Sequence, residues 1–367
     1  MVCYSGMGER KVAHLSHGRD RVTPPAIGFT PAGRLLVGHR PPWAVTVVRV
    51  RRTSPRPLVI AHRGASGYRP EHTLASYLLA IEQGADFIEP DLVSTKDGVL
   101  VARHENELSA TTDVATHGWL ADRRTTKVID GRELTGWFTE DLTMDELRSL
   151  RARTRSPWER PGAARYDGQL AVPTFEEILD LAHVEGRRRG RAVGVYPEIK
   201  HPSYFASIGL GLEEPLVRAL RRRGLDRHDA PVLVQCFEPG SLYDLDAVLD
   251  VPLVQLIDVQ GPAFHLLSGR GGIEDIAGYA DALGVAATLV LPHGPDAPSS
   301  DLVELAHLEA LDVHVWGALP QALPALLDAG VDGIFTDHPD LGVRARDDWA
   351  AATAGSARPA RVSVSAD

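Results

Sequence analysis

Cysteine is nearly absent. Cys3 and Cys236 are the only two in 367 residues, which excludes a disulfide framework and a cysteine-built zinc site. Long apolar runs are also missing: nothing approaches the roughly 20 residues that cross a bilayer, so no stable membrane anchor is expected. The apolar stretch AVTVV (44–48) is too short for the core of a secretory signal. Arg51-Arg52 is followed by TSPRP rather than by an apolar stretch. The sequence as written therefore reads as cytoplasmic, with a secreted or periplasmic location open if the start is misassigned. No Gly-x-Gly-x-x-Gly follows a strand-like run, which counts against a dinucleotide site. Net positive charge is lacking too. The formal charge is −10, which offers no overall footprint for nucleic acid. Residues 1–57 carry ten Lys/Arg against two Asp/Glu, leaving −18 on the rest. Such a basic leader on an acidic body reads as a solvated tail. Nothing in the pattern sets the oligomeric state.

What is present is alternation. Between a Gly/Pro/Arg-rich leader (1–56) and a low-complexity tail (346–367), both expected to be disordered, strand-like and helix-like runs follow one another over 57–345. Strands are expected at 57–61, 87–93, 99–104, 192–199, 231–237, 251–257, 285–291, 312–318 and 332–336. Amphipathic helices are expected at 71–84, 174–187, 212–224, 239–249, 272–283, 300–309 and 320–329, with Gly84, Gly224, Gly284 and Gly330 as helix ends. This pattern predicts an α/β fold, a (β/α)8 TIM barrel, with an open doubly wound sheet as the alternative. Residues of about 105–170 break the alternation and are too long for a βα loop. They read as an insertion after an early strand, over the catalytic face.

The chemistry gathers at predicted strand ends. Glu89 and Asp91 are two apart in a strand and share a face, as do Glu198 and Lys200. Like charges on one buried face need neutralising, and a divalent cation does so. Oxygen ligands select Mg²⁺, Ca²⁺ or Mn²⁺ over Zn²⁺. Taken alone, Glu-x-Asp reads more readily as strand-end ion pairing. The histidines alter that balance. His62 ends the first strand. In STKDGVLVARH, a two-residue Asp97-Gly98 turn would set Lys96 opposite Val99 and Asp91 opposite His104. Two histidines suit general acid–base work, and Arg63 and Lys200 suit an anionic centre. Phosphodiester cleavage uses all of these.

HRGASGYRPEHT (62–73), GADFIEPDLVSTKDGVLVARHE (84–105), YPEIKHP (196–202) and DGIFTDHPD (332–340) resemble, in order, the motifs of the glycerophosphodiester phosphodiesterases. PEHT, TTDVA and YPEIK are most similar to the periplasmic and secreted bacterial branch. The resemblance covers about 57–342. It implies a (β/α)8 barrel with a small insertion and one divalent cation, Mg²⁺ or Ca²⁺, at Glu89, Asp91 and Glu198. It implies His62 and His104 as the acid–base pair, with Arg63 and Lys200 on phosphate. The implied reaction releases sn-glycerol 3-phosphate and an alcohol from a small glycerophosphodiester, within glycerophospholipid and glycerol metabolism and phosphate scavenging. Either the substrate's 2-hydroxyl or water is the nucleophile.

Phe237 and Trp316 end strands and read as glycerol-pocket walls or as core, with Gln235 behind them. VWGALPQALP (315–324) and VAATLVLP (285–292) depart from the branch's usual loops, which bears on substrate preference. His72 is expected to help open the first helix beside Glu71. His201, His293, His314 and His338 are expected to be bystanders, and Gly64 and Gly67 to serve a turn. Two other readings keep the barrel: a phospholipase D-like enzyme on lysophospholipids, using Trp119, Trp137, Phe138 and Trp158 as an apolar rim, and a non-catalytic glycerophosphodiester-binding protein.

Overall fold

The apolar run LVIAH forms strand β1 (Leu58–His62), whose three central residues are buried. The computed structural model describes residues 56–259 and 272–355, with a short pairing of Gly28–Phe29 and Leu35–Leu36. The expected disorder of the leader falls almost wholly outside those residues. Helix α1 (Leu74–Glu82) follows, opened by Thr73, whose hydroxyl accepts from the Ser76 N–H. Next come β2 (Phe87–Glu89) and β3 (Asp91–Ser94), two halves of one stave parted at Pro90, which has no N–H for the ladder. β4 (Leu100–Ala102) folds back antiparallel on β3. The hairpin β5 (Thr125–Ile129) and β6 (Arg132–Gly136) lies in the stretch leading to α2 (Phe175–Arg189). A reciprocal Thr174–Glu177 capping box starts α2, and Gly190, at φ 64°, ends it.

The remaining staves repeat the pattern. β7 (Gly194–Val195) and β8 (Glu198–Ile199) form one, interrupted at Tyr196-Pro197. Then follow α3 (Glu213–Arg222), β9 (Val234–Cys236), α4 (Pro239–Asp246), β10 (Leu253–Ile257), α5 (Gly272–Ala277), β11 (Ala282–Ala286), α6 (Leu302–Leu308), β12 (Asp312–Trp316), α7 (Leu323–Asp328), β13 (Gly333–Thr336) and α8 (Pro339–Gly355). β1 lies between β2 and β13. The β2–β3 stave pairs with β7–β8 through Ile88↔Val195 and Asp91↔Glu198. That stave in turn meets the next through Val195↔Val232 and Glu198↔Gln235. β9 to β13 pair in chain order, all parallel. Eight staves thus close into a (β/α)8 barrel. Its interior is filled by Ile60, Tyr196, Leu233, Val254, Ala282 and Phe335. Among the described residues, no helix is long and apolar enough to cross a membrane.

Four expectations need correction. The strand read at 285–291 is β11, at Ala282–Ala286, and the one-turn helix Ala287–Val290 follows it. The helix read at 272–283 stops at Ala277. Ladders from β10 and β12 on both sides fix β11. Gly284 is therefore mid-strand rather than a helix end. A Cβ there would come within 2.5 Å of Leu256 Cδ2. Finally, residues 346–355 of the expected tail continue α8. Arg346 is buried and reaches Asp86 at 2.5 Å, and Trp349 Nε1 donates to Asp328 at 3.0 Å, so side-chain anchoring overrides the low-complexity composition.

Candidate active site

The C-terminal ends of the staves bring the predicted carboxylates together. Glu89, Asp91 and Glu198 are buried, and each offers an oxygen within 4.8 Å of the others. Their environments differ. Burial drives Glu89 well above the usual carboxylate range, and the neighbouring Asp91 and Glu198 charges add to this. Glu198 is pushed up to about 8, again chiefly by burial, although Lys200 Nζ lies 2.9 Å from its Oε1. Burial acts on Asp91 as well, but Lys200 and the His72 hydrogen bond outweigh it and hold Asp91 well below its ordinary value. Glu89 accepts from the Arg63 N–H at 2.8 Å and from Gln235 Nε2 at 3.2 Å. Asp91 Oδ1 and Gln235 Oε1 are buried and have no hydrogen-bond partner. Hard oxygen donors, mutual repulsion and an orphaned carboxylate oxygen fit a divalent cation.

Around this triad the backbone is bent to purpose. After β1 the chain turns sharply through Arg63 (φ 61°) and Gly64 (φ 86°). A Cβ on Gly64 would meet the Ser76 backbone at 2.7 Å, so only glycine allows α1 to pass so close. Arg63 turns its side chain inward, to 3.2 Å from Glu71 and 3.4 Å from Asp91. His72, expected only to open the helix, is instead fully buried. Its Nε2 sits 2.8 Å from Asp91 Oδ2 and its Nδ1 2.8 Å from Tyr77 Oη. Burial lowers its pKa to about 4, so it serves Asp91 as a neutral imidazole.

The hairpin register differs by one from the expectation. Leu92 faces Ala102 and Ser94 faces Leu100, and Thr95 N–H donates to Val99 at 3.0 Å. The turn is a three-residue Lys96-Asp97-Gly98 loop with Gly98 at φ 77°. Arg103, not His104, therefore lies opposite Asp91, and its N–H bonds the Asp91 carbonyl at 2.9 Å. The buried Arg103 guanidinium binds the carbonyls of Glu71, His72 and Thr111, stitching this corner together. His104 emerges just past the ladder, where Lys200, Arg63 and Asp91 all act on it. Burial first, then those two cations, lower it to about 3.

Each of the two predicted histidines has a carboxylate on Nδ1. His62 meets Asp337 Oδ1 at 2.8 Å, and His104 meets Glu105 Oε1 at 2.5 Å. Asp337 and Glu105 were not singled out in the sequence, although Asp337 lies in the DGIFTDHPD motif. Ring closure could have found it: Thr336 pairs with Ala61, so the next residue falls beside His62. Both carboxylates are held well below the ordinary range. Burial opposes this, and the histidine and an arginine outweigh it. Those arginines, Arg155 and Arg160, come from the insertion and carried no periodic signal.

A cleft of about 720 Å³ opens beside the triad. Its walls include Glu198, Lys200, Phe237, Glu238 and Asp258. Lys200 Nζ lies 5.8 Å from the Phe237 ring centre, and Phe237 meets Trp316 edge-on at 6.0 Å. Gln235 sits behind, on Glu89. Of the expected bystanders, His201 bonds Asp130 of the β5–β6 hairpin at 2.5 Å on the cleft rim. His314 meets Tyr196 Oη at 2.8 Å inside the barrel, and His338 packs edge-on against Tyr68. His293 is exposed. Of the four residues of the expected apolar rim, Trp119 and Trp158 are exposed, Phe138 is buried, and Trp137 is half-buried with its Nε1 on the Leu120 carbonyl.

Comparison with known proteins agrees with this geometry. Residues 62–341 match the glycerophosphoryl diester phosphodiesterase family. The chain is 34% identical over 293 residues to a glycerophosphodiester phosphodiesterase of Bacillus subtilis, covering 78% of this chain and 85% of that one. It is 32% identical over 318 residues to one of Arabidopsis thaliana, covering 77% and 84%. Among solved structures, a glycerophosphoryl diester phosphodiesterase from Silicibacter pomeroyi superposes with a TM-score of 0.64 at 24% identity, covering 81% of this chain and 95% of that one. An Oleispira antarctica phosphodiesterase solved with its product sn-glycerol-3-phosphate gives 0.57 at 22% identity, covering 80% and 97%. At these identities the two structures speak for the fold.

Proposed function

Because the chain belongs to the glycerophosphoryl diester phosphodiesterase family and is an enzyme of that kind, we propose that it hydrolyses small glycerophosphodiesters with one divalent cation and two histidines. The products are sn-glycerol 3-phosphate, the product held by the Oleispira relative, and a free alcohol. The observation that carries this reading is the meeting, at one barrel mouth, of a buried carboxylate triad with two carboxylate-backed histidines.

Glu89, Asp91 and Glu198 would hold the cation, which supplies neutralising charge for a phosphoryl oxygen when bound. The chain's own residues do the rest. A carboxylate on Nδ1 makes that nitrogen the donor, which leaves Nε2 of His62 and of His104 as the working atom. One Nε2 takes the proton of the nucleophile as the new P–O bond forms, either water directly or the substrate's 2-hydroxyl, in which case water then opens the cyclic phosphate. The other gives a proton to the departing alkoxide as the old P–O bond breaks. Lys200, which lines the cleft 2.9 Å from Glu198, would face the phosphate. Arg63 already shares Glu71 and Asp91, and supplies positive charge at the same point. Phe237 and Trp316 form the apolar wall for the glycerol carbons.

Glycerophosphocholine turnover should vanish in chelator and return with Mg²⁺ or Ca²⁺. His62→Ala and His104→Ala should each lose on the order of 10²–10⁴ in kcat. Full activity in both variants would remove this mechanism. Faster turnover of lysophospholipid vesicles than of soluble diesters would favour the lipid-acting alternative.

A further inference from the structure

The insertion between β4 and α2 places two arginines five residues apart against two different carboxylates. Arg155 forks onto Glu105, with Nη1 at 2.9 Å from Oε1 and Nη2 at 2.7 Å from Oε2. It also grips the buried Glu71, at 3.1 and 2.7 Å. Arg160 Nη2 binds Asp337 Oδ2, while Asp337 Oδ1 takes His62 Nδ1 and Ser66 Oγ, the latter at 2.9 Å. Two parallel chains result: Arg155–Glu105–His104 and Arg160–Asp337–His62.

We propose that the insertion sets the working orientation of both histidines, with Arg155 and Arg160 as positioning residues that act through Glu105 and Asp337. This rests on the two-histidine reading above. A carboxyl group rotates broadly about its last torsion. A histidine bonded to one oxygen therefore inherits that freedom, unless the second oxygen is also held. In each chain an arginine holds it. The Arg160 and Asp337 side chains are 28% and 24% exposed, so solvent partly screens their ion pair and its stabilising share is modest, about 1 kcal/mol. What they control is direction, and a misplacement of about 1 Å costs on the order of 10²-fold in rate. The two chains serve different halves of one reaction. One histidine removes a proton from the nucleophile, and the other protonates the leaving oxygen.

The test uses the full chain with saturating Mg²⁺ or Ca²⁺ and two substrates: glycerophosphocholine, and a p-nitrophenyl glycerophosphodiester whose phenolate leaves without a proton. With glycerophosphocholine, Arg160→Ala should lower kcat by roughly 10–100-fold with KM within about threefold and a melting point lowered by no more than about 2 °C. Added guanidinium should restore much of the loss. Glu105→Gln tests the other chain while leaving the Arg155–Glu71 contact in place, and should lose kcat to a similar degree. With the aryl substrate, one of these two variants should recover to near wild type and the other should not, because only the acid-side chain becomes dispensable. Unimpaired kcat in Arg160→Ala, failure of guanidinium to restore it, or equal behaviour of both variants on the two substrates would overturn the proposal. His62→Ala and His104→Ala run in parallel. If they stay active, the two-histidine reading itself fails. If they are inactive while the arginine variant is intact, only the positioning role fails.

Discussion

Removing a carboxylate from the triad should make the cation-free protein more stable. Glu89 is the residue to change, because Gln keeps its shape and both of its hydrogen-bond partners, the Arg63 N–H and the Gln235 amide, can still be satisfied. Two carboxylates lie within 4.8 Å of it: Asp91, held ionised, and Glu198, pushed up to about 8 and so mostly neutral at pH 7. At an effective dielectric of 20, the charge on Asp91 alone costs an ionised Glu89 about 3 kcal/mol. Protonation caps the penalty. The folded state raises the Glu89 pKa above its ordinary 4.5, so the folded state holds a proton that the unfolded chain releases. That costs at most about 3 kcal/mol at pH 7 and under about 1 kcal/mol at pH 5. In chelator, Glu89→Gln should therefore melt up to about 5 °C above wild type at pH 7, with the gap closing toward pH 5. Mg²⁺ or Ca²⁺ should raise the wild-type melting point, since a ligand of the folded state alone stabilises it, and should barely move the variant. Calorimetry at both pH values, with and without cation, decides the matter. A variant that melts lower than wild type in chelator at pH 7, or that gains as much from the cation, would refute the electrostatic reasoning.

Two further expectations concern buried histidines that the sequence read as a helix opener, His72, and a bystander, His314. His72→Phe fills the same space but removes the contacts to Asp91 and Tyr77, both at 2.8 Å. Urea unfolding should show a loss of about 2–5 kcal/mol, and cation affinity should fall as Asp91 loses its orientation. Tyr196→Phe leaves His314 without its Nδ1 partner, when its Nε2 already has none. Stability should drop by about 1–3 kcal/mol with kcat within about threefold of wild type, as a defect of the barrel interior and not of its mouth.

The barrel was legible where residues obey a period, and the site where residues end strands. Val59–Ala61, the 231–237 run and the 251–257 run read as buried staves because continuous apolar runs bounded by turn residues suit parallel strands. The same rule failed at 282–291. There ALGVAATLVL is apolar throughout, so strand and helix cannot be told apart without the flanking ladders. At Asp97-Gly98, two- and three-residue loops share a sequence signature, and the choice between them moved the register by one. Glu89, Asp91 and Glu198 were visible because a period of two sets their direction. Arg155 and Arg160 were not, because an irregular segment has no period from which to infer where a side chain points. His72 hid behind a local role: its left-handed backbone (φ 54°) turns it away from the helix it precedes and into the barrel mouth.

The contact between His62 and Asp337 joins positions 275 residues apart. It depends on the pairing of β13 with β1, the last seam of the ring to become possible as the chain is made. A nascent chain emerging from the ribosome could build most of its staves and still lack a backed His62. Activity would then switch on once β13 has joined β1 rather than rise along synthesis. A chain truncated before Asp337 should be silent even with its triad intact, which makes the turnover assay a report on whether the ring has shut.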